Sequence, residues 1–328
     1  MVAVAVAGGL GDMGRLIVEE LLKRRKYEVY VLSRRAPAQQ TTRISPLSGK
    51  EYSPLIQADY TSEDHLVGTL SEYNINTVIC AMALDFESAA DAQVNLIRAA
   101  DRAPSVKRFI PSEFNVDYDL GDDVLPYPEK KYHTVGRREL EKTSLEFTYI
   151  YNGMFMDYYA MPNVETNLRP LYNVVDASNG VAAIPGDGNT LVALSFTRDV
   201  ARYTSFLLEL EQWPAVATIV GSQITLRQLV SLVEKSLGQA LEVAYDPIEK
   251  LKKHDATILP SNEPFLGQFP GGRDQVKALL ADLGAAMALG AYDFSSLDNS
   301  LDVVKYFAGK TEPPLEVEEL LKNAWAVR

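Results

Sequence analysis

The sequence predicts an α/β chain built on a doubly wound parallel sheet with a smaller C-terminal lobe. Three observations carry that prediction. Strand-sized apolar runs alternate with helical patterns over the first 150 or so positions, the sequence form of a parallel sheet covered on both faces. The first of these units turns through glycines at 8, 11 and 14. After Gly153 the alternation gives way to stretches rich in Asn, Gly and Pro, the character of an appended lobe.

Val2 to Val6 alternate with Ala3 and Ala5 and carry no charge, which suits a strand buried on both faces. Leu16, Ile17 and Leu21 then recur at helical spacing, with Glu19, Glu20, Lys23 and Arg24 on the opposite face. Between strand and helix, Gly8, Gly11 and Gly14 supply a tight turn, close approach by a ligand, and close packing of helix on strand. A Rossmann-type turn of this kind aims helix N-terminal amides at a pyrophosphate. The plain alternative is a tight turn with no ligand. The second strand, Glu28 to Leu32, ends at Ser33, Arg34 and Arg35 with no acid in the run. Arginine at this place accommodates a 2′-phosphate, so the reading is NADP rather than NAD; a solvated turn is the bland reading.

Positions 36–52 read as a polar loop containing Pro37, Pro46 and Gly49, followed by a third strand, Leu55 to Ala58. Asp59 closes that strand, either as a turn residue or as a contact near the adenine. Thr61 and Asp64 have the spacing of a capping box for the next helix. Thr77 to Met82 is the fourth strand and Glu87 to Ala100 a helix. A short strand in VKRFIPSEFNVD stops at Pro111, a helix over 127–142 opens on Pro128, and LEFTYIYNG is the sixth strand, ending in Asn152 and Gly153. Beyond it, Phe155, Tyr158 and Tyr159 are candidates to line a pocket for a flat substrate, with plain core packing as the alternative. LVALSFTRDVARYTSFLLEL returns a strand and a helix to the main domain, Asp199 being the expected cap. Val220 ends a further strand, Ser222 or Thr225 caps the next helix, and 259–275 reads as a long Pro- and Gly-rich loop whose Phe265, Phe269 and Gly271 close over a substrate or tie lobe to body. The expected division is 1–152 for dinucleotide binding, completed by about 191–222, with 153–190 and 223–328 forming the lobe.

Bulk properties exclude several classes. The 328 residues are 47% hydrophobic and 23% charged, an ordinary globular composition. A formal net charge of −12 leaves no excess of cations for a nucleic acid. Apolar stretches are only strand-sized and no charged leader precedes the first, so neither a membrane span nor a signal peptide is expected and the cytoplasm is the default location. Cys80, the one cysteine, sits in an apolar run, which excludes a disulfide framework. His65, His133 and His254 lie too far apart for a metal motif, and no metal is expected.

Taken together, GGLGDMG, the Arg34 region, Gln93 with LIRAA, RFIPSEF, LEFTYIYNGMF and PGDGNT run in an order that resembles the NmrA-like and isoflavone-reductase-like atypical short-chain reductases, over about residues 2–220. The resemblance implies an NADP-binding domain and either NADPH-dependent reduction of an aromatic or enone-like metabolite or a non-catalytic redox-sensing role through a protein partner. A redox-neutral isomerase or cyclase on the same fold is a third reading. By position, Gly8, Leu10, Gly11, Asp12, Met13 and Gly14 would line the pyrophosphate, and Arg34 with Ser33 or Arg35 would hold the 2′-phosphate. Met82, Phe114 and Asn152 would lie along the cofactor toward the nicotinamide, with Phe155 at the pocket wall.

One departure concerns the catalytic position. Reducing members carry a lysine on the helix after PSEF with an arginine four residues later; an ungapped match places His133 in that slot, and a two-residue insertion would place Lys131 there. Two residues on a helix are about 200° apart, so both cannot face one site. Gly136 is where an irregularity would allow the shift. Tyr127 and Lys131 also show the tyrosine–lysine spacing of ordinary short-chain dehydrogenases, but Pro128 disfavours helix at Tyr127. His133, with a reference pKa near 6.5, would serve as a proton donor near neutrality; Lys131 would need desolvation. The expectation is an NADPH-dependent reductase of a small aromatic or unsaturated metabolite, with His133 or Lys131 managing charge. Monomer and homodimer are both open.

Overall fold

The computed structural model describes residues 2–35 and 41–326. The start of the predicted 36–52 loop, with Pro37, lies outside them. Six parallel strands form the main sheet: β1 (Val2–Ala7), β2 (Tyr27–Ser33), β5 (Leu55–Gln57), β6 (Ile75–Cys80), β7 (Arg108–Ile110) and β8 (Glu146–Phe147). Between β2 and β5, β3 (Arg43–Ile44) and β4 (Glu51–Tyr52) make a small antiparallel pair. The sheet order is β5-β2-β1-β6-β7-β8, so the direction of winding reverses between β1 and β6. That reversal opens a crevice at the strands' carboxyl ends, the place where such sheets bind ligands.

The alternation VAVAVA sorts side chains onto two faces. Val4 and Val6 pack with Ile17 and Leu21 of α1 (Asp12–Arg24), together with residues of α5 (Thr197–Leu207). Ala3, Ala5 and Ala7 face Leu66 and Leu70 of α2 (Glu63–Glu72) and Leu96 and Ile97 of α3 (Glu87–Arg102). Small alanines admit a close helical layer on one side while branched valines fill the other, which is why a strand without polar alternation is stable here. α4 (Lys131–Leu140) extends the α2–α3 layer.

Beyond the sheet, several local expectations change. The predicted sixth strand breaks at Thr148: β8 stays in the main sheet, whereas β9 (Tyr149–Tyr151) pairs with β14 (Val216–Thr218). β14 in turn pairs with β17 (Ser300–Asp302), so the three strands form a separate parallel sheet. The cap of α2 is Ser62, whose oxygen accepts from the His65 amide; Thr61 instead bonds back to Asp59. Asp199 lies inside α5, and its carboxylate accepts from Arg202 and from the Leu315 amide, while the buried Asp157 accepts from the Thr197 amide at the helix start. Thr225 caps α6 (Leu226–Leu237) in a capping box with Gln228.

The lobe joins two three-stranded sheets. One holds β10 (Met154–Phe155), β13 (Leu191–Ser195) and β15 (Ser222–Thr225); the other holds β11 (Val175–Asp176), β12 (Val181–Pro185) and β16 (Glu242–Asp246). α6 and α10 (Val317–Trp325) pack beside them, and the short helices α7 (Ile248–Leu251) and α9 (Val303–Tyr306) flank α8 (Gly272–Leu289) in the chain. The expected 259–275 loop is largely helical, a 3-10 run over Pro260–Gln268 leading into α8. Phe265 and Phe269 pack into lobe clusters, around Leu259 and Val276 respectively, and so tie the lobe together. No helix among the described residues is long and apolar enough to cross a membrane.

Candidate active site

The carboxyl ends of β1, β2, β5 and β6 enclose a cleft of about 1060 Å³. Of the residues singled out in the sequence, Gly8, Leu10, Gly11, Ser33, Arg34, Asp59 and Met82 line it. Gly8 adopts φ +77°, and a Cβ there would stand 2.6 Å from the Ala81 carbonyl oxygen, so only glycine fits. At Gly14 a Cβ would meet the Gly8 carbonyl oxygen at 2.2 Å; this glycine lets helix α1 close on the turn and does not face the cleft. Gly11 keeps the wall low: a Cβ would meet only the Gly8 oxygen, at 3.2 Å.

Other expectations shift with the packing. The Met13 side chain is 8% exposed and belongs to the core beside Val4 and Val6, leaving only its backbone to face a ligand. Arg34 reaches the cleft, whereas Arg35 lies outside its lining, its amide donating to the Ser33 hydroxyl. Asp59 is the turn residue expected, accepting from the Thr61 hydroxyl and amide, bonds that hold its carboxyl below the usual range, and it also lines the cleft. Sequence reading missed Phe86, Ala89 and Asn95 on the opposite wall. Leu10 and Phe86 are 56% and 55% exposed, two large apolar side chains lining one cleft; nothing local in the sequence marks Phe86, which the fold brings there as the residue just before α3.

At the Met82 end a chain of hydrogen bonds leads away from the cleft. Ser112 Oγ donates to the Met82 carbonyl at 2.7 Å, and the Ser112 amide donates to Gln93 Oε1 at 2.8 Å. The Ser112 carbonyl, in turn, lies 3.0 Å from His133 Nδ1. An amide carbonyl only accepts, so Nδ1 carries the proton and Nε2 keeps its lone pair. The imidazole stacks on Tyr118, with ring centroids 3.7 Å apart and planes 11° apart. Burial drives the pKa of His133 down to about 4, with the Ser112 bond opposing and the Arg137 charge adding.

α4 is continuous through Gly136, which provides space and no irregularity: a Cβ there would sit 2.6 Å from Gln93 Nε2. His133 therefore faces inward, while Lys131 is exposed with its Nζ 4.9 Å from the Tyr132 ring centroid. The structure brings His133, not Lys131, to the Met82 end. With its pKa held down by burial and its Nδ1 on the Ser112 carbonyl, His133 fits an acceptor at Nε2 better than the proton donor the sequence suggested.

Beneath this end lies a buried ionic cluster the sequence did not announce. Arg137 Nε bonds both oxygens of Glu113, at 2.8 and 2.7 Å, Arg137 Nη1 bonds Asp117 at 2.5 Å, and Nη2 bonds the Tyr151 hydroxyl at 3.0 Å. Burial pushes the Glu113 carboxyl up and the guanidinium pulls it back. Burial is the larger effect, so the carboxyl stands raised, at about 7, in spite of the guanidinium.

The remaining candidates divide. Phe114 and Phe155 are half-buried against the α1 side of the core. Asn152 is fully buried, donates to the Gly153 carbonyl at 2.8 Å, and leaves Oδ1 without a hydrogen-bond partner among the described residues. Tyr158 is half-buried, and burial, with the Asp157 charge adding, pushes its hydroxyl pKa up. Tyr159 is 2% exposed inside the lobe core, its carbonyl accepting from the Trp325 indole, and cannot wall a pocket.

Comparison with known proteins agrees with this architecture. Residues 2–268 match the NmrA-like family. An oxidoreductase of Metarhizium robertsii, swnN, is 32% identical over 288 residues, covering 80% of this chain and 81% of its own. Bifunctional pinoresinol-lariciresinol reductase 1 of Linum usitatissimum is 30% identical over 246 residues, covering 73% and 76%. The structure of a leucoanthocyanidin reductase–NADPH complex from Vitis vinifera superposes with a TM-score of 0.71 at 19% identity, over 98% of each chain. The chain belongs to the NmrA-like family and, within it, to the isoflavone-reductase-like oxidoreductases.

Proposed function

We propose that this chain is an NADPH-dependent reductase that transfers hydride to a small aromatic or unsaturated, enone- or carbonyl-like metabolite. The observation that carries the reading is one continuous path: a cleft with Arg34 among its lining residues reaches Met82, and Met82 is tied through Ser112 to His133. The residues present fit the dinucleotide. Gly8 and Gly11 keep the turn open where a Cβ would intrude, and Arg34 with Ser33 stands where a 2′-phosphate needs a cation. Leu10 and Phe86 supply apolar surface for a flat base. The solved neighbour named above holds NADPH, and relatives named for pinoresinol and lariciresinol act on aromatic substrates. Bound NADPH supplies the hydride from nicotinamide C4.

The protein's part is orientation and charge. His133, fixed by Ser112 on one edge and by the Tyr118 ring on one face, presents an unprotonated Nε2. That nitrogen accepts a hydrogen bond from a substrate hydroxyl and so fixes the acceptor carbon's position. A neutral imidazole of this tautomer is not an acid, so protonation of the reduced product falls to solvent, Lys131 being exposed on another face of α4. Tyr158 and Phe155 are the proposed walls.

The test is deuteride transfer. Purified protein is incubated with NADPH deuterated at C4 and a metabolite extract, and products are followed by mass spectrometry. A labelled product establishes reduction and identifies the acceptor; NADPH binding without any label would move the protein to the sensing or redox-neutral readings.

A further inference from the structure

The 163–169 segment makes contacts on two sides of the fold that the glycine turn and His133 do not account for. Its base is fixed: Thr166 Oγ1 donates to the buried Asp157 at 3.0 Å, and Glu165 pairs with Arg198 at 3.2 Å. On one side of the glycine turn, Glu165, Thr166 and Asn167 share a small polar cavity with Arg15 and Glu19 of helix α1. On the other side, the Arg169 guanidinium lies 3.8 Å from the Asp85 carboxylate, on the loop that follows β6. The segment therefore reaches from α1 to the loop after β6, and the turn Gly8–Gly14 is what joins β1, the strand beside β6, to α1.

The Arg169–Asp85 contact is a poor one. At 3.8 Å it exceeds hydrogen-bonding distance, and the side chains are 77% and 57% exposed. Such a pair contributes almost nothing to the fold. A guanidinium so weakly engaged beside a turn shaped for phosphates has a better partner in a phosphate oxygen, which it can grip through two parallel N–H donors.

We propose that residues 165–169 form a strap over the pyrophosphate of the bound dinucleotide, with Arg169 leaving Asp85 to bond a pyrophosphate oxygen and Asp85 acting as its resting partner. This rests on the NADPH reading above. The strap places a lobe residue on the cofactor, so release of the dinucleotide requires the Arg169 bond to break first.

The experiment measures binding, not turnover. Dissociation constants and release rates of NADPH, and dissociation constants of adenosine 2′-monophosphate, which lacks the pyrophosphate, are determined by fluorescence and calorimetry for the unmodified protein, Arg169→Ala, Arg169→Lys and Asp85→Ala. Arg169→Ala is expected to weaken NADPH by about tenfold, mostly through faster release, and to leave adenosine 2′-monophosphate unchanged. Arg169→Lys retains part of the affinity, and Asp85→Ala binds NADPH as tightly as the unmodified protein or more so. Unchanged NADPH release in Arg169→Ala, or equal weakening of both ligands, overturns the strap. Failure of the unmodified protein to bind NADPH overturns the cofactor reading instead, so the two failures are distinct.

Discussion

The two ends of the cleft are built on different principles. The end proposed for the adenosine and pyrophosphate is organised by a backbone turn: Gly8 and Gly11 expose the main chain, and the residues that shape the turn are neighbours in sequence. The end proposed for the reaction is made of side chains drawn from three separate elements: Gln93 on α3, Ser112 after β7 and His133 on α4, with Arg137 holding the 113–117 segment below. A turn of backbone needs only the right residues in a row. A side-chain network needs every partner, so it is the more fragile half and the more specific one.

The sharpest way to break the comparison is at Arg137. Replacing it with Met leaves Glu113, 1% exposed, without its counter-charge. The expected loss is about 3–5 kcal/mol in denaturant unfolding, larger at pH 8 than at pH 5 because the orphaned carboxyl takes up a proton at the lower pH. Adding Glu113→Gln should restore part of it; a loss below about 1 kcal/mol would show that the cluster does not hold the reacting end.

His133 provides a smaller, pH-resolved effect. Its pKa falls from the ordinary 6.5 to about 4 on folding. Between those values the unfolded chain binds a proton that the folded chain refuses. The imidazole's contribution is therefore complete above about pH 6.5 and is lost as pH falls through about 4, amounting to about 3 kcal/mol. Unfolding free energies of the unmodified protein and His133→Phe, compared from pH 4 to 8, should diverge over that window. The same variant keeps a ring against Tyr118 and is expected to lose turnover while its NADPH affinity stays within about twofold. A parallel pair of pH curves would remove the neutral-imidazole assignment.

At the backbone end a side chain matters least. Arg34→Ala should weaken NADPH about tenfold more than NADH, near 1.4 kcal/mol, and Arg35→Ala much less, since only Arg34 lines the cleft. Equal losses for the two dinucleotides would sink the 2′-phosphate assignment.

The same division sets what could be read from sequence. The glycine turn, the arginine after β2 and the alternating strands were legible because each is a local pattern with one physical cause. His133 was legible as a position but not as a chemical species: its tautomer and its lowered pKa come from Ser112 and burial, which no spacing encodes. Tyr158 and Tyr159 are adjacent in the chain, yet one is half-buried and the other is sealed in the core; a 3-10 run over Met156–Tyr159 decides that, and periodicity gave no hint of it. Gly136 looked like a break in a helix and proved to be room for Gln93.

The strand at residues 300–302 has a consequence for biogenesis. β9, β14 and β17 meet side by side although the chain makes them at its middle, two-thirds point and near its end. During synthesis the first half can collapse around β1 and β6, but Val216 and its neighbours wait with an unpaired edge until Ser300 has left the ribosome. The interval between those two events is when this protein is most exposed to wrong partners, and a chaperone that shields an open sheet edge would act on it then.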